Sequence, residues 1–170
     1  ANGCTASTSI TVNEPALLTA TLSSTNITCN ASSNGTASVT AGGGTIPYTY
    51  LWSNNATTSS ISNLAPGTYS VVVTDANGCT SSANVTITQP NALSASASVS
   101  ALILCYGGNA TVAVSAIGGT APYAGVGNFS VIAGTYSYTV TDANGCTAST
   151  SITVNEPALH TTTSSSTNIT

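Results

Sequence analysis

The sequence predicts an all-β protein made of tandem β-sandwich repeats, and three observations carry that reading. Ser and Thr make up about a third of the chain beside 41% hydrophobic residues. That mixture is expected where β-branched and small polar residues alternate on half-buried strands. The best apolar runs, around Ala101 to Leu104 and Val71 to Val73, fall far short of the roughly 20 residues needed to span a bilayer. The chain also repeats itself: Ala-Asn-Gly-Cys-Thr at residues 1–5 recurs at 76–80 and 143–147.

A repeat of this period has to be recognised before single elements are assigned. The offsets are 75 and then 67, so two unequal units make a pair of 142, and residues 143–170 copy residues 1–28 with three changes. Those changes are Leu18 to His160, Ala20 to Thr162 and Leu22 to Ser164. The expected organisation follows. Residues 1–13 are the last strand of a preceding repeat, 14–89 a β-sandwich, 90–156 a shortened second sandwich, and 157–170 the first strand of a following repeat. The 170 residues read as a window cut from a longer array.

Strands are placed by alternation. Gly67–Asp75 aligns with Gly134–Asp142, with Tyr69, Val71 and Val73, or Tyr136, Tyr138 and Val140, on one face at period two. Asp-Ala-Asn-Gly at 75–78 and 142–145 is turn chemistry, so the next strand folds back as a hairpin. It carries Val85 and Ile87, or Ile152 and Val154, on its inner face. Upstream lie strands near Leu17–Leu22, Thr36–Thr40, Tyr48–Trp52 and Ser59–Leu64, which makes six or seven short strands in the first repeat and suggests a sandwich. The second repeat has eight fewer residues between Tyr123 and Gly134 than the first has between Tyr48 and Gly67. It loses the tryptophan and much of one strand pair.

Composition excludes several classes. With no Lys or Arg and a formal charge of −4, the chain has no basic patch for nucleic acid or anionic lipid headgroups. The charge is too small for an acidic, solvating disordered tail, and no stretch suits membrane insertion. The five cysteines follow the repeat: Cys29 and Cys79 bracket the first, Cys105 and Cys146 the second, and Cys4 closes a pair opened upstream. The expected bridges are Cys29–Cys79 and Cys105–Cys146, each closing one domain. Zinc is the rival reading, but it wants closely spaced pairs such as C-x-x-C with histidine, which do not occur. Disulfides place the chain in an oxidising compartment, extracellular or at the cell surface.

Pro47–Asn54, Leu64–Tyr69 and Val73–Cys79 resemble the SprB repeat of Bacteroidota surface proteins. The first repeat carries nearly the full pattern. The second keeps Pro122-Tyr123 and the Gly134–Cys146 end but lacks the Trp-Ser-Asn segment. The resemblance implies large repetitive cell-surface adhesins and filaments, including those of gliding motility, commonly exported by type IX secretion. It also implies an immunoglobulin-like sandwich in which Tyr69 and Tyr136 resemble a tyrosine corner.

Candidate chemistry is sparse. His160 stands where the duplicate has Leu18, which does not suit a catalytic base. Glu14 and Glu156 precede prolines where the middle copy has Gln89, which suggests a junction between domains. Asp75 and Asp142 could present oxygens to calcium, but one carboxylate per turn favours a plain capped turn. Tyr48, Tyr50 and Trp52 could form a sugar-stacking platform if they faced outward, although a tryptophan buried over the disulfide is the expected placement. The sequons at Asn26, Asn30, Asn34, Asn55, Asn84, Asn109, Asn128 and Asn168 arise from composition, and O-linked sugars would supply the hydration that charges do not. The sequence therefore reads as a structural stalk with no catalytic residue, no cofactor and no metal. Its partners are adjacent repeats of the same polypeptide and lateral copies in a filament. The alternative is a carbohydrate-binding module using exposed aromatics.

Overall fold

Among residues 2–162, the part of the chain that the computed structural model describes, every regular element is a β-strand. The chain divides into two units. Unit 1 holds the residues up to Asn26 and Ser33–Thr88, and unit 2 holds Ile27–Ser32 and the residues from Gln89 onward.

Unit 1 contains β1 (Thr19–Thr25), β2 (Gly35–Gly42), β3 (Thr49–Trp52), β4 (Ser60–Leu64), β5 (Gly67–Thr74) and β6 (Thr80–Ile87). They form two antiparallel sheets in the orders β1-β2-β4 and β3-β5-β6. Labelled A, B, C, E, F and G in chain order, these are the A-B-E and C-F-G sheets of an immunoglobulin-type sandwich without strand D. The period-two pattern determines which face is buried. Ala37 and Val39 of β2, Val71 and Val73 of β5 and Ile87 of β6 are buried, and Leu18, Trp52, Ile61 and Leu64 complete the core.

Unit 2 repeats this with β7 (Ser94–Ala101), β8 (Ala110–Ile117), β9 (Gly127–Val131), β10 (Gly134–Thr141) and β11 (Thr147–Val154). Its sheets are β7-β8-β9 and β10-β11. The equivalent of β3 shrinks to one bridge, Ala124 to Thr141, at the register where Thr49 meets Thr74 in unit 1.

The shortened unit keeps a filled core by enlarging three others of its positions. Where unit 1 pairs Ala37 with Ile61, unit 2 pairs Val112 with Phe129. Val71, the β5 partner of Trp52, is replaced by Tyr138, whose ring lies 4.9 Å from that of Phe129. Larger side chains thus offset the lost indole, as close packing demands. On the exposed faces, hydroxyl pairs stand where other proteins place charges: Ser23 with Ser38 at 2.8 Å, Thr25 with Thr36 at 2.7 Å, and Ser96 with Ser115 at 2.8 Å.

Two expectations about organisation change. The strand expected within residues 1–13 does not form: residues 2–18 are irregular. The same sequence in the second repeat becomes β11, where β10 pairs along its whole length. Ile27–Ser32, expected within the first sandwich, is counted with unit 2. Of the strand expected at 157–170, residues 157–162 are irregular and 163–170 lie outside the described residues.

Candidate functional site

Asp75, Asp142 and the cysteines singled out in the sequence lie beyond strand ends, whereas Trp52 sits in the core of unit 1. One end of each sandwich is the Asp-Ala-Asn-Gly turn between β5 and β6, or between β10 and β11. Asp75 is buried there, 6% exposed. Its Oδ1 accepts the backbone N–H groups of Asn77 and Cys79, both at 2.9 Å, and its Oδ2 accepts that of Thr45 at 2.9 Å. Asp142 repeats the arrangement with Asn144, Cys146 and Thr120. The Thr45 N–H is the main cause holding the Asp75 carboxyl below its ordinary value, opposed by desolvation and helped by the turn N–H groups of Cys79, Asn77 and Gly78. At Asp142 desolvation is the largest influence and pushes upward, but the N–H donors of Thr120, Cys146, Asn144 and Gly145 together outweigh it, so its pKa is also lowered.

Both carboxylates are therefore occupied by backbone donors, the chemistry of a braced turn. No group of three or more His, Cys, Asp and Glu side chains is placed to hold a metal ion among the described residues. Glycine pairs make room for the brace: a Cβ on Gly44 would stand 2.7 Å from Asp75 Oδ2, and one on Gly119 would stand 2.6 Å from Asp142 Oδ2.

The other end carries the opening cysteines, and here the expected pairing is wrong. The structure bonds Cys29 to Cys146, with Cα atoms 5.7 Å apart, and leaves Cys79 and Cys105 as exposed free thiols. Cys29 follows β1 at the end where Thr25 meets Thr36, whereas Cys79 follows the opposite end, where Thr74 meets Thr80 and Asp75 reaches the loop after β2. The seven residues of β1, at about 3.3 Å each, hold these ends roughly 20 Å apart, well beyond the about 7 Å that a bridge tolerates between Cα atoms. In unit 2 the same geometry separates Cys105, after β7, from Cys146, in the β10–β11 turn. The bridge that forms joins the opening cysteine of the first repeat to the closing cysteine of the second.

Polar contacts inside unit 2 hold that bridge in place. The Ala31 N–H donates to Gln89 Oε1 at 2.9 Å, Asn30 Nδ2 donates to the Pro90 carbonyl at 3.0 Å, and Asn144 Nδ2 donates to the Thr28 carbonyl at 3.1 Å. Around Cys105 the Gly107 N–H donates in the same way to Glu156 Oε2 at 2.8 Å. The exchange of Gln for Glu at this position is explained, since each supplies one accepting oxygen. Neither the Gln89 contact nor the Thr28 contact could be read from spacing, because each joins loops far apart in sequence.

Trp52 is 1% exposed and its Nε1 donates to the Thr58 carbonyl at 2.8 Å. Tyr48 and Tyr50 are half-buried, and the Tyr48 hydroxyl donates to the Gly43 carbonyl. The outward-facing platform that a sugar-binding reading needs is therefore not formed by these residues. The tryptophan is buried as expected, but not over a disulfide, since the bridge belongs to unit 2. The Tyr69 hydroxyl donates to the carbonyl of Ala65, and that of Tyr136 to Ile132, each four residues upstream at 3.0 Å. His160 is exposed.

Fold and site together define, among the described residues, a β-sandwich protein of two similar units with the Cys29–Cys146 disulfide. Residues 21–57, from β1 through the Trp-Ser-Asn segment, match the SprB repeat family, the family to which the motifs pointed. Among solved structures the chain is similar to the N-terminal four Ig domains of Dscam1 isoform 6.44, with 14% identity, a TM-score of 0.32, and coverage of 74% of this chain and 42% of that one. It is also similar to a tetra-tandem repeat in the extending region of a large adhesion protein, with 18% identity, a TM-score of 0.26, and coverage of 81% and 49%. The chain thus spans less than half the length of either. No curated protein matches it.

Proposed function

We propose that the chain is a structural segment of a large extracellular surface filament or adhesin stalk, a row of immunoglobulin-like repeats that carries an adhesive element and performs no catalysis. The observation that carries this reading is the SprB repeat at residues 21–57, in a chain that duplicates its own sequence on either side. Supporting it are the braced Asp75 and Asp142 turns, the Tyr69 and Tyr136 hydroxyl bonds in the position of a tyrosine corner, and the disulfide, which suits an oxidising location. Adjacent repeats are then its main partners. The family resemblance extends the proposal to export by type IX secretion and a place in gliding or attachment.

The test is an antiserum raised against the chain and applied to intact cells of the source organism. Labelling of unpermeabilised cells that disappears after proteinase K shaving supports the reading. Labelling that appears only after permeabilisation overturns it.

A further inference from the structure

We propose that Cys79 and Cys105 are halves of the same kind of bridge as Cys29–Cys146. Each bonds to a cysteine of a neighbouring repeat outside residues 1–170, so that the opening cysteine of every repeat is joined to the closing cysteine of the next. The inference rests on reading the chain as part of a serial array.

One complete junction and two matching halves support it. In the complete one, a cavity beside the bridge is lined by Cys29 and Asn30 from the opening loop and by Ala92, Leu93, Cys146 and Thr147. Beside Cys79 a cavity is lined by Leu17, Leu18, Cys79 and Thr80, the repeat equivalents of the last four, without an opening loop. Beside Cys105 a third is lined by Cys105, Tyr106, Leu159 and His160, the equivalents of Cys29, Asn30, Ala92 and Leu93, without a closing turn. Each half lacks what a further repeat carries.

The Cys105 half is also arranged like the complete junction. Gly107 and Ala31 are equivalent, both at positive φ, and donate their N–H groups to the equivalent Glu156 and Gln89. Glu156-Pro157 therefore already leads the chain into the position that Gln89-Pro90 takes beside the finished bridge. Cys79, in turn, occupies the Asp-braced turn position of Cys146, with its thiol exposed.

The chemistry is ordinary thiol–disulfide exchange. Two thiols lose two protons and two electrons as the S–S bond forms. The electrons reduce one disulfide of an oxidant of the thiol–disulfide oxidoreductase class to two thiols.

The experiment is a disulfide map of the unreduced polypeptide purified from its source, alkylated, unfolded and cleaved on the N-terminal side of aspartate. Cleavage at Asp75 and Asp142 leaves Cys4 with Cys29, Cys79 with Cys105, and Cys146 in a third fragment, and fragment-ion sequencing assigns the bonded cysteine within each pair. The expected result is Cys29 linked to Cys146, with Cys79 linked to an opening cysteine upstream and Cys105 to a closing cysteine downstream. A Cys29–Cys79, Cys105–Cys146 or Cys79–Cys105 link, or alkylated thiols at Cys79 and Cys105, overturns the proposal. The surface-labelling experiment stands apart from this outcome, so failure of the bridge pattern is distinguishable from failure of the stalk reading.

Discussion

Gly35 of β2 lies directly against Ile87 of β6: a Cβ on Gly35 would stand 2.7 Å from Ile87 Cγ2. The two residues come from opposite sheets of unit 1, and their equivalents in unit 2 are Ala110 and Val154, 1% and 4% exposed. One methyl group has moved across the sandwich between the duplicates. Gly35→Ala should therefore destabilise unit 1 by about 1–3 kcal/mol through overpacking, and by less in an Ile87→Ala background, where Cγ2 is gone. A double-mutant cycle by urea unfolding checks it; strictly additive effects would show that the two positions are not coupled.

Acid sensitivity should trace to the turn aspartates. Both carboxyls are held below their ordinary value near 3.8 in the folded chain. Their stabilising contribution is thus complete above the unfolded-state value and is lost as pH falls from there through the folded pKa. Melting temperature should be flat near neutrality and drop below about pH 4. Asp75→Asn should lower it at pH 7, since the amide NH2 must face one of three N–H donors, and should flatten the acid limb. An unchanged acid limb in the Asp75→Asn, Asp142→Asn double variant would refute this assignment.

The Cys29–Cys146 bridge closes a loop of sequence separation 117, for which the chain-entropy model gives about 5 kcal/mol and measured losses run at about 2–5 kcal/mol. Cys146→Ser should reduce stability in that range and also free Cys29 to a thiol reagent. Cys79→Ser in the isolated 170-residue chain should leave stability within about 0.5 kcal/mol. Equal losses for the two variants in guanidinium unfolding would contradict the pairing.

Trp52→Ala should cost unit 1 about 3–5 kcal/mol, the usual range for deleting a buried aromatic. Tyr138→Val, which restores the residue found in unit 1, should destabilise unit 2, because no indole is present to fill the vacated space. Differential scanning calorimetry reads both; a stabilised Tyr138→Val variant would disprove the compensation.

Much of the fold was legible from single stretches of chain. The alternation in Gly67–Asp75 and Gly134–Asp142 gave strands whose inward residues, Val71, Val73 and Val140, are the fully buried ones. The Asp-Ala-Asn-Gly turns and the shortening of the second repeat were equally local. Glu14, Gln89 and Glu156 stood out as junction residues. What spacing could not give was the contact that explains the Gln and Glu, the backbone of a loop 58 residues away from Gln89. The Asp75 turn is legible in the sequence as a capped turn, yet its third donor, Thr45, lies 30 residues upstream.

By itself the sequence determined the turns, the repeat and which face of a paired strand is buried, because each depends on side-chain alternation and backbone preference within a few residues; residues 5–12, identical to β11 yet irregular, show that the strand itself also needs a partner. Only the tertiary structure decided which cysteines bond and what fills the place of Trp52. Those outcomes depend on which strand ends lie together and how much volume two facing sheets enclose, and separation along the chain measures neither.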